Sequence, residues 1–201
     1  MKSEIAMLSK ICRQIYQNHA NEIKDIILFG SSVRGKLMPS DLDILIVFAN
    51  SINKDIEYEL SKKLSSHVNN LSVISKTEKN YLDESFDARE GLLYEGYSIA
   101  KSRSIASGYG FKPFGFFIYN TNNLTNTKKT RFYYALNGRG ENEGILGTFY
   151  GIKISDNLIA VPASHVDLAK SFFDSWEISY RYVPTLIPER LARKELLNKV
   201  S

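Results

Sequence analysis

Asp41 and Asp43 stand two residues apart at the head of an apolar run that continues to Phe48. Side chains alternate along a strand, so both carboxylates are expected on one face. Paired carboxylates suit a hard cation: Mg²⁺ prefers oxygen ligands and takes one or two protein carboxylates together with substrate phosphate oxygens. Ahead of the acids stand Gly30, Ser31, Ser32 and Arg34. A glycine there lets the chain turn sharply and a phosphate come close, and the serines offer hydroxyls and N–H groups at the start of a following helix. Arg34, one turn on, adds a planar cation suited to phosphate. The expected phosphate cradle is therefore Gly30, Ser31, Ser32 and Arg34, with Asp41 and Asp43 as the expected Mg²⁺ ligands and catalytic acids. Such a set supports attack of a hydroxyl on the α-phosphorus of a bound nucleoside triphosphate, without a covalent enzyme intermediate. A plain turn glycine and a loop-capping aspartate would explain Gly30 and Asp41. They would leave Asp43, a carboxylate among Ile and Leu, without a counter-charge.

These residues need elements to hold them. Ile26, Ile27, Leu28 and Phe29 form a short apolar run stopped by Gly30, which reads as a buried strand. Residues 31–37 are expected to form a short helix ended by Pro39 and Ser40, and residues 42–48 a second strand in the middle of a sheet. Upstream, Ile5, Leu8, Ile11, Cys12, Ile15 and Tyr16 recur at three- and four-residue steps, one face of an amphipathic helix. Downstream, Ile56, Leu60 and Leu64 predict a helix over 54–67, and Leu71, Val73 and Ile74 a third strand. A further helix is expected over 81–94, then a turn at Gly96 into a short extended end.

Small and polar residues gather at 102–110, which reads as a linker, so the expected domains are residues 1–100 and 101–201. In the second, residues 114–119, 131–136, 152–161 and 180–186 are rich in aromatic and β-branched types and read as strands. A helix over 165–176 is expected with Ser164 as its N-cap, and a charged helix over 188–200. The expected fold class is α/β (α+β): a mixed sheet with helices, followed by a smaller α+β domain.

At Gly30-Ser31, Arg34-Gly35 and Ser40-Asp41-Leu42-Asp43 the sequence resembles the nucleotidyltransferase superfamily that includes DNA polymerase beta, most closely its minimal nucleotidyltransferase branch. The resemblance covers the N-terminal half, including the stretch REGLLYEGYSI at residues 89–99. It implies a Mg²⁺-dependent transfer of a nucleoside monophosphate from a nucleoside triphosphate such as ATP to a hydroxyl acceptor. It also implies a third acid on a later strand, and residues 71–75 place Ser72 or Ile74 there. Glu78, Asp83, Glu84 and Asp87 follow and read as surface charges. The alternatives that remain are a nucleotide-binding, antitoxin-like protein without catalysis, or a nucleic-acid binder acting through its C-terminal half.

The whole chain bounds these readings. Its 201 residues, 43% apolar and 24% charged, suffice for a buried core. Cys12 is the sole cysteine, which excludes an intramolecular disulfide and points to a reducing cytoplasm. No leader-like start and no apolar run long enough for a membrane span are visible, so a cytoplasmic protein without a membrane partner is expected. A net charge of +4 permits an anionic partner. Lys128, Lys129, Arg131, Phe132, Tyr133, Tyr134 and Arg139, and later Tyr180, Arg181 and Tyr182, interleave cations with aromatic rings, a pattern suited to nucleic acid. In a half-buried strand the same residues would put Phe132 and Tyr134 inside and Arg131 and Tyr133 outside. His19, His67 and His165 are scattered without partnering cysteines, which excludes a zinc site of the usual spacing. Gly138-Arg139-Gly140 reads as a hairpin loop and Trp176 as core.

Overall fold

The computed structural model describes residues 2–30, 41–68, 70–140 and 142–192. They form two units, Met1–Tyr109 and Gly110–Ser201, each with its own sheet. Both are mixtures of helix and strand, as the sequence implies.

The first unit opens with α1 (Lys2–Asn18), whose Leu8, Cys12 and Ile15, at steps of four and three, are buried. β1 (Ile23–Phe29) and β2 (Asp41–Phe48) follow as an antiparallel pair. Asn53 caps α2 (Lys54–Ser65) by accepting from the Asp55 N–H at 3.0 Å, which satisfies an otherwise orphaned donor. β3 (Asn70–Thr77) returns parallel to β2, as a helical crossover allows. α3 (Arg89–Glu95) leads to β4 (Tyr97–Ser98), β5 (Arg103–Ser104) and α4 (Ile105–Gly108). The five strands are ordered β3-β2-β1-β4-β5.

Both faces of this sheet are covered, which is why β2 reads as one continuous apolar run. On one face Ile26, Leu28, Ile44, Ile46 and Phe48 pack with Cys12 and Ile15 of α1 and with Ile56, Leu60 and Leu64 of α2. On the other, Ile27, Phe29, Leu45 and Val47 pack with Phe86, Leu92 and Ile105. Burying each such side chain contributes about 1.5–3 kcal/mol, so β2 is the best-anchored strand of the unit.

The second unit has a four-stranded antiparallel sheet, ordered β11-β6-β10-β9. β6 (Phe111–Asn120) is followed by α5 (Asn126–Asn137), the small hairpin β7 (Gly138–Arg139) and β8 (Asn142–Glu143), and α6 (Ile145–Thr148). Then come β9 (Ile152–Ser155), β10 (Leu158–Pro162), α7 (Val166–Ser175), β11 (Ser179–Pro188) and α8 (Glu189–Ala192). Its core is aromatic: the Phe117 ring stacks on Phe173 at 5.4 Å, and Phe132 stacks on Phe172 at 5.6 Å. Trp176 meets Phe132 edge-on at 5.6 Å and so belongs to this core.

Several expectations change. Residues 131–136 are helical, within α5: Thr125 caps the N-terminus by accepting from the Lys128 N–H, and Phe132 and Leu136, four apart, are the buried pair. Residues 152–161 are a hairpin that turns at Asp156 and Asn157. The helix expected over 81–94 is shortened to α3, because residues 78–88 run through turns that carry Phe86 into the core. Within residues 102–110, read as linker, 103–108 form β5 and α4, and β5 pairs with β4 of the first unit. Ser164 lies in a 3-10 turn before α7 and its hydroxyl bonds His165 Nδ1 at 2.9 Å, so it is not the cap. The helices expected at 31–37 and beyond residue 192 lie outside the described residues. Among the described residues no helix is long and apolar enough to cross a membrane.

Candidate active site

The antiparallel register of β1 and β2 sets Phe29 opposite Asp43. This brings the turn after β1 against the acidic start of β2, although the two are separated in sequence. Gly30 has φ +82°, in the left-handed region where a Cβ is strained, and a Cβ built there would lie 2.4 Å from Asp43 Oδ2. Glycine is thus required twice at this position, once for its backbone conformation and once for the space that the Asp43 carboxylate takes. Asp43 is half-buried, flanked along β2 by the buried Leu42 and Ile44. Among the described residues no lysine, arginine or histidine forms an ion pair with it.

Asp41 opens β2 two residues earlier, with its backbone opposite Asn70, so both acids lie on one unbroken strand. The remaining expected cradle residues, Ser31, Ser32 and Arg34, lie outside the described residues. Among the described residues no group of three or more His, Cys, Asp or Glu side chains gathers as a metal site. The carboxylate that the structure sets against the turn glycine is that of Asp43.

β3 is where the third acid is expected. Its parallel register puts Asn70 opposite Asp41, Ser72 opposite Asp43 and Ile74 opposite Leu45. None of these side chains is a carboxylate. Asn70 went unnoticed in the sequence because its place depends on the β2–β3 register, which spacing alone does not give. The later acids serve elsewhere. The Glu78 N–H donates to the Phe48 carbonyl at the far end of β2, five residues or roughly 16 Å from Asp43. The Glu78 carboxylate lies 3.9 Å from Lys24 Nζ. Asp83 accepts from the Ser85 N–H at 2.9 Å and the Ser85 hydroxyl at 2.7 Å, which holds its carboxyl below the usual range.

Sequence reasoning also passed over Asp25, buried at 7% exposure inside β1. It accepts from the Ser98 hydroxyl at 2.6 Å and the Ala100 N–H at 3.2 Å. It sits opposite Val47, four residues or about 13 Å along β2 from Asp43, and it ties β1 to the β4 turn. The histidines do not converge: His19 bonds Glu59 at 3.1 Å in the first unit, and the His165 ring meets Tyr150 edge-on at 5.1 Å in the second.

Residues 10–95 match the family model for the polymerase beta nucleotidyltransferase domain. No curated protein sequence matches the chain. Among solved structures, a toxin–antitoxin complex with AMP-PNP is 18% identical, with 45% of this chain and 71% of that one covered at a TM-score of 0.35. The Shewanella oneidensis complex of a tri-AMPylated HEPN toxin with its MNT antitoxin is 18% identical over 47% of this chain and 70% of that one, with a TM-score of 0.32. A nucleotidyltransferase-type protein from Sulfolobus solfataricus is 22% identical over 51% of this chain and 89% of that one, with a TM-score of 0.30. Residues 10–95, which lie within the first unit, are thus similar to the polymerase beta nucleotidyltransferase domain.

Proposed function

We propose that the first unit binds a nucleoside triphosphate with Mg²⁺ and transfers its nucleoside monophosphate to a hydroxyl acceptor. The observation that carries this reading is the fit of Gly30 against Asp43: the turn is shaped around the carboxylate, as a site that brings a phosphate to a metal-binding acid requires. Asp41 and Asp43 are the proposed metal ligands, and the Gly30 turn with Ser31, Ser32 and Arg34 the proposed triphosphate cradle. A divalent cation held there would neutralise phosphate charge and stabilise the departing pyrophosphate. The bond between the acceptor oxygen and the α-phosphorus forms as the bond to the bridging oxygen breaks, pyrophosphate leaves, and the acceptor's proton passes to solvent water. The rigid β1–β2 pair contributes by holding the acids in place while this charge moves. A reducing cytoplasm suits a chain whose one cysteine is buried and unpaired.

One observation favours a second reading, nucleotide binding without transfer. Asn70 and Ser72 fill the β3 positions opposite the two acids, and neither can take the acceptor proton at neutral pH. Incubation with α-labelled nucleoside triphosphates and Mg²⁺ separates the two. The label is expected to pass to an acceptor among oligonucleotide ends, protein hydroxyls and small alcohols, and to stay on the triphosphate with the Asp43→Asn chain. Tight Mg²⁺-dependent nucleotide binding with no label on any acceptor would establish the second reading instead.

A further inference from the structure

The basic and aromatic run at residues 128–139 is the motif that the proposed function leaves unused. It lies on α5 and the β7 strand after it, in the second unit. Phe132 and Leu136 are the buried positions that seat the helix. Tyr133 and Tyr134 face outward, 49% and 39% exposed, with their rings 6.1 Å apart and edge-on. Both already hold cations against their faces: Lys153 Nζ lies 5.1 Å from the Tyr133 ring centre and the Arg139 guanidinium 5.0 Å from that of Tyr134.

Beside them is a concavity of about 330 Å³, lined by Tyr119, Thr121, Lys129, Thr130, Tyr133 and Asp156 among others. Its floor is fixed, since the Tyr119 hydroxyl donates to the Asp156 carbonyl at 2.8 Å and the Tyr119 ring packs on Phe132 at 5.7 Å. Its rim is positive. Lys129 and Arg139 flank the tyrosines, Lys128 and Arg131 continue the charge along the helix, and Lys153 neutralises Asp156 at 2.8 Å.

We propose that this face of the second unit binds single-stranded nucleic acid, with one base entering the cleft against Tyr133, a second stacking on Tyr134, and the intervening phosphates meeting Lys129 and Arg139. Three features select this occupant. Exposed rings stack on any base, whatever its sequence. A cation held close to a ring stands where the phosphate beside a stacked base can meet it, as Arg139 does at Tyr134. The cleft, at the lower end of the range for small-ligand sites, admits a nucleoside and excludes a folded surface. A duplex keeps its bases stacked inside and offers none to the cleft.

The test is fluorescence anisotropy of labelled single-stranded DNA and RNA with the full chain, in EDTA and without nucleoside triphosphate, so that its outcome is separate from that of the proposed function. Two phosphate contacts predict a salt slope near −1.4, so affinity should fall about sevenfold between about 50 and 200 mM salt. Tyr133→Ala and Tyr134→Ala should each weaken binding at least about fivefold, while Tyr133→Phe and Tyr134→Phe retain it. Circular dichroism and Trp176 fluorescence verify that each variant is folded. Absence of salt-sensitive binding would overturn the proposal. So would folded alanine variants that bind as well as the parent, or a duplex or polyglutamate of equal length that binds as tightly as the single strand.

Discussion

Replacing Gly30 by alanine probes the turn on which the candidate site is built. At φ +82° any other residue sits in the left-handed region, at a cost of about 1–2 kcal/mol. The added Cβ would also meet Asp43 Oδ2 at 2.4 Å, so the carboxylate must leave its rotamer, for a further ~0.5–1.5 kcal/mol. Together these give about 1.5–3.5 kcal/mol, read as a lower urea midpoint at unchanged slope by far-ultraviolet circular dichroism. Gly110 and Gly140 supply the comparison, since they have φ +77° and +62° with no atom within 4 Å of an added Cβ. Their alanine variants should show the backbone cost alone. The steric part is then isolated by a cycle: Asp43→Ala should recover roughly 0.5–1.5 kcal/mol in the Gly30→Ala background, because it removes the atom that is struck. A Gly30→Ala chain no less stable than Gly110→Ala and Gly140→Ala, and unaffected by loss of the Asp43 carboxylate, would refute the reasoning.

Three further outcomes follow from the same structure. Ser98→Ala removes the 2.6 Å bond to buried Asp25 and should lower stability by about 1–3 kcal/mol in urea titration, while Ser51→Ala, at an exposed loop position, changes it by less than about 0.5 kcal/mol. Burial pushes the Cys12 thiol up to about 12 from 9.0, so the folded protein should resist a thiolate-selective reagent at pH 8 and react once unfolded. The sign follows from linkage: the neutral thiol's contribution is fully present below the unfolded value and is lost as pH rises towards about 12. Phe117→Ala, at a fully buried ring stacked on Phe173, should cost about 3–5 kcal/mol and shift the Trp176 fluorescence transition that reports the second unit.

What the sequence made legible depended on how far each signal reaches along the chain. β1, β2, α1 and α2 were readable because their apolar periods are local and their burial is complete. The Asp41 and Asp43 pair was visible for the same reason, since two residues on one strand need no long-range information. The approach of Gly30 to Asp43 and of Asn70 to Asp41 was not, because both are set by strand register across intervening segments. α5 was misread as a strand because Phe132, Tyr133 and Tyr134 have high strand propensity. Its true signal is a Thr125 cap and a narrow Phe132–Leu136 stripe, with both tyrosines turned to solvent. The β9–β10 hairpin was hidden by the apolar residues on both sides of its short Asp156-Asn157 turn.

The central claim is that Asp41 and Asp43 join a triphosphate to Mg²⁺. Calorimetric titration of ATP and GTP into the full chain, with Mg²⁺ and with EDTA, tests it most directly. Binding is expected with Mg²⁺, and it should be lost both in EDTA and in the Asp41→Asn/Asp43→Asn chain. Equal affinity in EDTA, or binding unchanged when both carboxylates are replaced, would contradict the claim.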